Sequence, residues 1–194
     1  NVLALPESQS EPKAQSKWIK SVINNAIKAE IIKWSPAPWY AIDIGGASGV
    51  FAYEFQDEQW KCSIIDPSSE GKFIEDLGIS YIQAPYPSEI ASNRFQLGTL
   101  IYVLEHMMDP YSTLKALAKD LIPGGLTYIE VPDAIAFDRL PADDDIFNSC
   151  HLWMFDPKSI TFLLNSAGFE LLYLRQTRAV RGHFALMTIS KLAA

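Results

Sequence analysis

Apolar residues fall in two rhythms along this chain. From Trp18 onward, Ile19, Val22, Ile23, Ala26, Ile27 and Ile31 recur three and four positions apart, the spacing that lines one face of a helix. The pattern predicts a helix from Ala14 to a point before Pro36, because proline pushes the preceding residue out of helical backbone. Next comes Trp39–Ile44, a short apolar run stopped by Gly45 and Gly46. A run of that length with a glycine stop reads as a buried strand. Further strands are expected at 60–65, 79–83, 97–103 and 126–131, with helical stretches between them.

Two of those helices carry their own start signals. Asp109-Pro110 and Asp156-Pro157 each offer an N-cap followed by proline at the first helical position. Leu114, Leu117, Ala118 and Leu121 form the apolar face of the first, and Pro123-Gly124-Gly125 is its expected stop. Ile160, Leu163, Leu164 and Ala167 face inward on the second, which Gly168 should end. Beyond Gly168 the order changes: residues 169–177 and 183–190 read as strands joined by a link too short for a crossover helix, so they must pair antiparallel. The expected fold is therefore an α/β sheet, mostly parallel, that finishes in an antiparallel hairpin. Residues 134–150 form its one long irregular segment, and such segments tend to be functional.

At 194 residues the chain suits one domain, taking roughly 150 residues per domain. Residues 1–13, rich in Ser, Pro, Glu and Gln, are expected to fray, leaving a single domain over 14–194 with lid elements at 14–34 and 134–155. Charged residues sum to 16 − 23 = −7, which argues against a broad cationic surface for nucleic acid or anionic lipid. Cys62 and Cys150 read as reduced thiols in a cytoplasmic setting. No apolar run approaches the roughly 18 residues of a membrane span. The chain opens on Asn1 without the layout of a secretion signal, and is read as trimmed or cut from something longer.

The candidate chemistry begins at the first strand. Asp43 precedes a turn of small residues, Gly45, Gly46, Ala47, Ser48 and Gly49, where backbone can approach a ligand closely. In an open α/β sheet the ligand crevice lies at the carboxyl ends of the strands, where strand order reverses. Asp66 follows Gly45 by 21 residues, the spacing at which a carboxylate accepts from both hydroxyls of a ribose. A dinucleotide fold wants G-x-G-x-x-G or A, whereas this turn reads G-G-A-S-G-V. An acidic residue placed as Asp43 is suits a ligand with an ammonium group and no pyrophosphate.

Taken with residues 103–110 (VLEHMMDP), 121–125 (LIPGG), 130–133 (EVPD), 151–155 (HLWMF) and 167–170 (AGFE), these features resemble the class I S-adenosylmethionine-dependent methyltransferases, over about residues 39–190. The resemblance implies a Rossmann-like sheet of seven strands, mostly parallel with the last antiparallel, and helices on both faces. It also implies S-adenosylmethionine as cofactor. Asp43 and the Gly45, Gly46, Ala47, Ser48, Gly49 turn would surround its methionine part, Asp66 with Pro67 its ribose, and Gln83 with Ala84 the adenine edge. Tyr102 would lie beside the sulfonium. Ala47 departs from the family's middle glycine, Gln96 from an aspartate after Phe95, and Gln83 from an acidic adenine-side residue.

Methyl transfer needs alignment and exclusion of water more than a catalytic group, but a hydroxyl acceptor gains from a base near neutrality. His106, behind the fourth strand, and His151, behind the acidic loop, are the catalytic candidates; His183 reads as structural. No metal ligand is assigned. Glu105, His106 and Asp109 sit close enough in sequence to suggest one, but a brace for the following helix explains Glu105 as well. Arg175, Arg178 and Arg181 cluster on the terminal hairpin, which reads as a solvated turn; a phosphate or carboxylate on a substrate or partner is the alternative ligand. The reading is an enzyme that methylates a small molecule, on a hydroxyl of a sugar or aromatic metabolite. A non-catalytic scaffold of the same fold and a nicotinamide-dependent oxidoreductase are the alternatives.

Overall fold

The computed structural model describes residues 10–90, 92–147, 149–178 and 183–193. Its strands are β1 (Trp39–Ile44), β2 (Trp60–Asp66), β3 (Ser80–Gln83), β4 (Phe95–Ile101), β5 (Leu121–Pro132), β6 (Phe169–Arg178) and β7 (Phe184–Leu192). They form one sheet in the order β3-β2-β1-β4-β5-β7-β6. Strands β1 to β5 are parallel, and β7 runs antiparallel to both β5 and β6. This is the mostly parallel seven-stranded sheet with an antiparallel end that the sequence predicts. Order reverses between β1 and β4, so the crevice of the fold opens there.

Alternate residues of each strand feed two cores, because successive side chains leave a sheet on opposite faces. Ala41, Ile64 and Leu97 pack with Ile19 and Ile23 of α1 (Ser10–Lys28) and with Phe51 and Phe55 of α2 (Val50–Phe55). Ile42, Ile65 and Leu100 pack on the other face with Leu114 and Leu117 of α3 (Pro110–Asp120) and Ile160 and Leu164 of α4 (Pro157–Ala167). Each such fully buried aliphatic chain contributes about 1.5–3 kcal/mol relative to exposure. The caps behave as expected: the Asp109 side chain accepts from Ser112 N, Asp156 and Ser159 form a reciprocal capping box, and Gly168 closes α4 at φ 97°.

The main departures from expectation lie at the ends of α1, β4 and α3. Helix α1 starts at Ser10, so residues 10–13 form its first turn, and residues 1–9 lie outside those described. It stops at Lys28 rather than near Pro36: Glu30 turns to φ 58° and Ile31, expected on the inner face, is 62% exposed. Strand β4 ends at Ile101, two residues early, because Tyr102 adopts φ 55°. Pro123-Gly124-Gly125 does not stop α3, which ends at Asp120; it lies inside β5. The register there steps from Phe95↔Leu121 to Leu97↔Leu126, two residues of β4 against five of β5, and the surplus bulges out around Gly124 at φ 73°. The hairpin link at 179–182, which includes Arg181, lies outside the described residues.

Candidate functional site

The carboxyl ends of β1, β2 and β3 meet through their backbone. Gly45 leaves β1 at φ 69°, and a Cβ there would stand 2.6 Å from a methyl carbon of Val103, just beyond β4. Gly46 lies directly on the Asp43 carboxylate, where a Cβ would come within 2.6 Å of Oδ2. The turn is therefore pressed between β1 and the segment after β4, with no room for a side chain at Gly45 or Gly46. Ala47 takes φ 42° although it is not glycine, a conformation that costs an L-residue roughly 1–2 kcal/mol. What holds it is Asp66, whose Oδ2 accepts from Ala47 N at 3.0 Å while Oδ1 accepts from Ser68 N at 2.8 Å. Each Asp66 oxygen thus spends one lone pair on backbone and keeps another.

Gln83 pairs in register with Asp66, and Ala84 N donates to Asp66 O at 3.1 Å. Asp66, exposed Pro67, exposed Gln83 and half-buried Ala84 therefore share one corner. Asp43 is 5% exposed and accepts from Thr99 Oγ1 at 2.5 Å. Burial pushes its carboxyl up to about 7 against the lowering effect of the Thr99 hydrogen bond, and the nearby charge of Asp66 adds to the rise. Half-buried Ser48 and buried Gly49 close the turn, with Gly49 N donating to Gly46 O at 2.7 Å. One contributor escaped the sequence reading. A Cβ at Gly71 would collide with the Ala47 carbonyl, so Gly71 supports the turn from below; its only sequence signal is that it is glycine.

Beyond β4 the chain turns toward β5. Tyr102 N donates to Glu130 O at 2.8 Å and Tyr102 Oη donates to Glu130 Oε1 at 2.8 Å. Two more donors reach the same buried carboxylate, Gln15 Nε2 at 2.6 Å and Tyr128 Oη at 2.8 Å. Glu130, Gln15 and Trp18 line a cavity of about 210 Å³ between α1 and the hairpin, closed on the other side by Arg175 and Met187. Gln15 was not singled out from sequence, and Glu130 entered only within the EVPD stretch at 130–133, without a role of its own. They lie 115 positions apart, and no local pattern joins them.

The two histidines expected to be catalytic stand side by side, their rings 4.7 Å apart and tilted by 42°. Backbone clips bring them together: Leu152 N and Trp153 N both donate to Glu105 O, at 2.9 and 3.2 Å, and Trp153 Nε1 donates to Met107 O at 2.9 Å. His106 Nδ1 lies 2.8 Å from Cys150 O and His151 Nδ1 lies 2.6 Å from Ile146 O. A carbonyl can only accept, so each Nδ1 carries the hydrogen and a neutral ring keeps its lone pair on Nε2. The Glu105 side chain is 2% exposed and neither of its oxygens has a hydrogen-bond partner. Burial pushes that carboxyl up to about 8, and the charge of Glu130 adds to the shift. His183 instead pairs with Asp144 at 3.2 Å, tying β7 to the irregular segment.

A family model described as a methyltransferase domain matches residues 15–174, most of the chain. Among solved structures, the 1,6-didemethyltoxoflavin-N1-methyltransferase of Burkholderia thailandensis, with bound 1,6-didemethyltoxoflavin and S-adenosylhomocysteine, superposes with a TM-score of 0.72 at 14% identity. The match covers 100% of this chain and 82% of that one. A SAM-dependent methyltransferase from Methanosarcina mazei gives 0.67 at 16% identity, over 86% and 97% of the two chains. The [4+2]-cyclase SpnF gives 0.67 at 13% identity, over 82% and 76%. No curated protein sequence matches the chain. At these identities the structural likenesses establish the fold, and the cyclase among them is a reminder that this fold hosts more than one chemistry. Among the described residues no helix is long and apolar enough to cross a membrane.

Proposed function

The chain belongs to the methyltransferase-domain family and is an S-adenosylmethionine-dependent methyltransferase; from that premise we propose that it methylates a small molecule on a hydroxyl, carried by a sugar or an aromatic metabolite. The observation that carries the reading is the Asp66 corner. Its carboxylate is fixed by two backbone N–H groups and keeps one lone pair on each oxygen, the capacity needed to accept from two vicinal ribose hydroxyls. Gln83 and Ala84 lie beside it for the adenine edge, and the Gly46 turn, where no Cβ fits over Asp43, leaves backbone facing the amino-acid tail. The residues present thus fit the cofactor, which supplies a methyl group already activated by a positive sulfur.

The protein's share is alignment. The acceptor oxygen must reach the methyl carbon opposite sulfur, so that the C–O bond forms as the C–S bond breaks and the hydroxyl proton leaves. Tyr102, held at both its N–H and its hydroxyl by Glu130, is tied to a residue that lines the cavity. That cavity, about 210 Å³, accepts a group of one ring, since about 150 Å³ suffices for benzene. Arg175 at its mouth suits an acidic substituent. The Nε2 of His106 or His151 takes the hydroxyl proton. A nicotinamide cofactor finds no support in the family match, and the missing second glycine speaks against it.

The test is binding and transfer together. Calorimetric titration with S-adenosylhomocysteine should give micromolar binding, and methyl-labelled S-adenosylmethionine should label phenols or sugars that carry a free hydroxyl. Label appearing only on nitrogen or carbon acceptors would overturn the hydroxyl assignment while leaving the cofactor reading intact.

A further inference from the structure

We infer that His106, Cys150 and His151 form a binding site for a divalent transition-metal ion of zinc type. One ring nitrogen of each histidine and the Cys150 sulfur all lie within 4.8 Å of one another; ligands around one tetrahedral ion with bonds of about 2.0–2.3 Å stand roughly 3.3–3.8 Å apart, so side-chain shifts of about 1 Å close the set. The sequence alone hides the group, because 44 positions separate His106 from Cys150. The three hydrogen bonds that clip residues 152 and 153 to residues 105 and 107 bring the two segments together.

Two independent features point to a cation. First, both imidazoles are held in the tautomer that ligands take. Each gives its Nδ1 hydrogen to a backbone carbonyl, the outer contact that fixes the tautomer of metal-bound histidine and directs the Nε2 lone pair outward. Second, a carboxylate waits beside them. Glu105 Oε1 lies 4.0 Å from His106 Nε2, its side chain is 2% exposed, and both its oxygens lack a hydrogen-bond partner. A buried polar group without a partner is expensive. A divalent ion at the three ligands would give this one a partner nearby, and the Cys150 thiol gives its proton to solvent on binding. Two nitrogens and one sulfur select borderline ions over magnesium or calcium, and three protein ligands leave a fourth position for water or a substrate oxygen. The inference does not depend on which acceptor is methylated, but it replaces a histidine base, because an Nε2 bound to the ion has no lone pair left for a proton; its test reads metal rather than turnover.

The full chain, stripped with chelator, is titrated with Co²⁺ and then Zn²⁺. The expected result is one Co²⁺ per chain, visible bands of tetrahedral intensity and a near-ultraviolet thiolate-to-cobalt charge-transfer band, all bleached by Zn²⁺. Cys150→Ser should remove the charge-transfer band. His106→Gln and His151→Gln should each weaken Zn²⁺ binding on the order of 100-fold, and His183→Asn should change nothing. The wild-type spectrum decides even where a variant misfolds. Absence of stoichiometric uptake, as a proton on His106 Nε2 facing Glu105 would give, overturns the site. So does a charge-transfer band that survives Cys150→Ser.

Discussion

The two halves of the crevice are built differently. On the side proposed for the cofactor, Asp43, the Gly45 to Gly49 turn, Asp66 and Gln83 come from three neighbouring strands in register, and backbone N–H groups make most of the connections. On the side proposed for the acceptor, Gln15 meets Glu130 across 115 positions, and His106 meets Cys150 across 44. The first half is set by strand spacing and glycine placement, which any sheet of this order imposes. The second is set by individual side chains on α1, the irregular segment and the hairpin. The cofactor half should therefore fail when backbone is obstructed, and the acceptor half when single side chains are removed.

The largest effect is expected at Gly46. In Gly46→Val the new Cβ would meet Asp43 Oδ2 at 2.6 Å and Ile64 Cγ2 at 3.0 Å, so the turn must lift from β1. Affinity for S-adenosylhomocysteine should fall by more than about 100-fold, with far-UV circular dichroism retained. Next come the histidines: in the metal-free chain, His106→Ala or His151→Ala, whichever removes the base, should lower turnover by about 100-fold with cofactor affinity unchanged. Loss of both properties together would mean that the two halves are one cooperative unit and would break the contrast. Asp66→Ala should weaken cofactor binding by about 30-fold, or about 2 kcal/mol, through loss of charge-assisted hydrogen bonds, and unchanged affinity would remove Asp66 from the ribose.

The same contrast explains what the sequence could disclose. Strand β1 and helices α3 and α4 were legible because their signals are local: a glycine stop, Asp-Pro starts, a Gly168 end. The early end of β4 was not, because Tyr102 leaves the strand to reach Glu130 on the neighbouring one, a tertiary demand without a local trace. Pro123-Gly124-Gly125 misled for a related reason: it punctuates a bulge within β5, and α3 had already ended three residues before it. His106 and His151 could be singled out as the right residue type near the crevice, but their contact, and Cys150 beside them, needed the fold. Gln15 and Gly71 carry no motif at all, and Glu130, although it opens the EVPD stretch, shows nothing there of its contact with Gln15.

The smallest predicted effect is the subtlest test of the cofactor half. Asp43 is buried, which raises its carboxyl to about 7, so in the free protein it is largely neutral at pH 6. For the fold itself this contribution is fully present below the ordinary value of 3.8 and is lost as pH rises through about 7, because the native state holds the proton more tightly than the unfolded chain. Cofactor binding has the opposite sign. An ammonium group beside Asp43 favours the ionised form, so binding expels the proton and affinity rises with pH until Asp43 ionises unaided. Between pH 6 and 7 the gain should be about fivefold, as linkage to one group of that pKa requires. Calorimetry with S-adenosylhomocysteine across pH 5.5 to 7.5 should show this slope, and Asp43→Asn, fixed in the neutral state, should flatten it. A flat profile in the unaltered protein would place the ammonium away from Asp43 and leave Asp66 alone as the polar anchor of that edge.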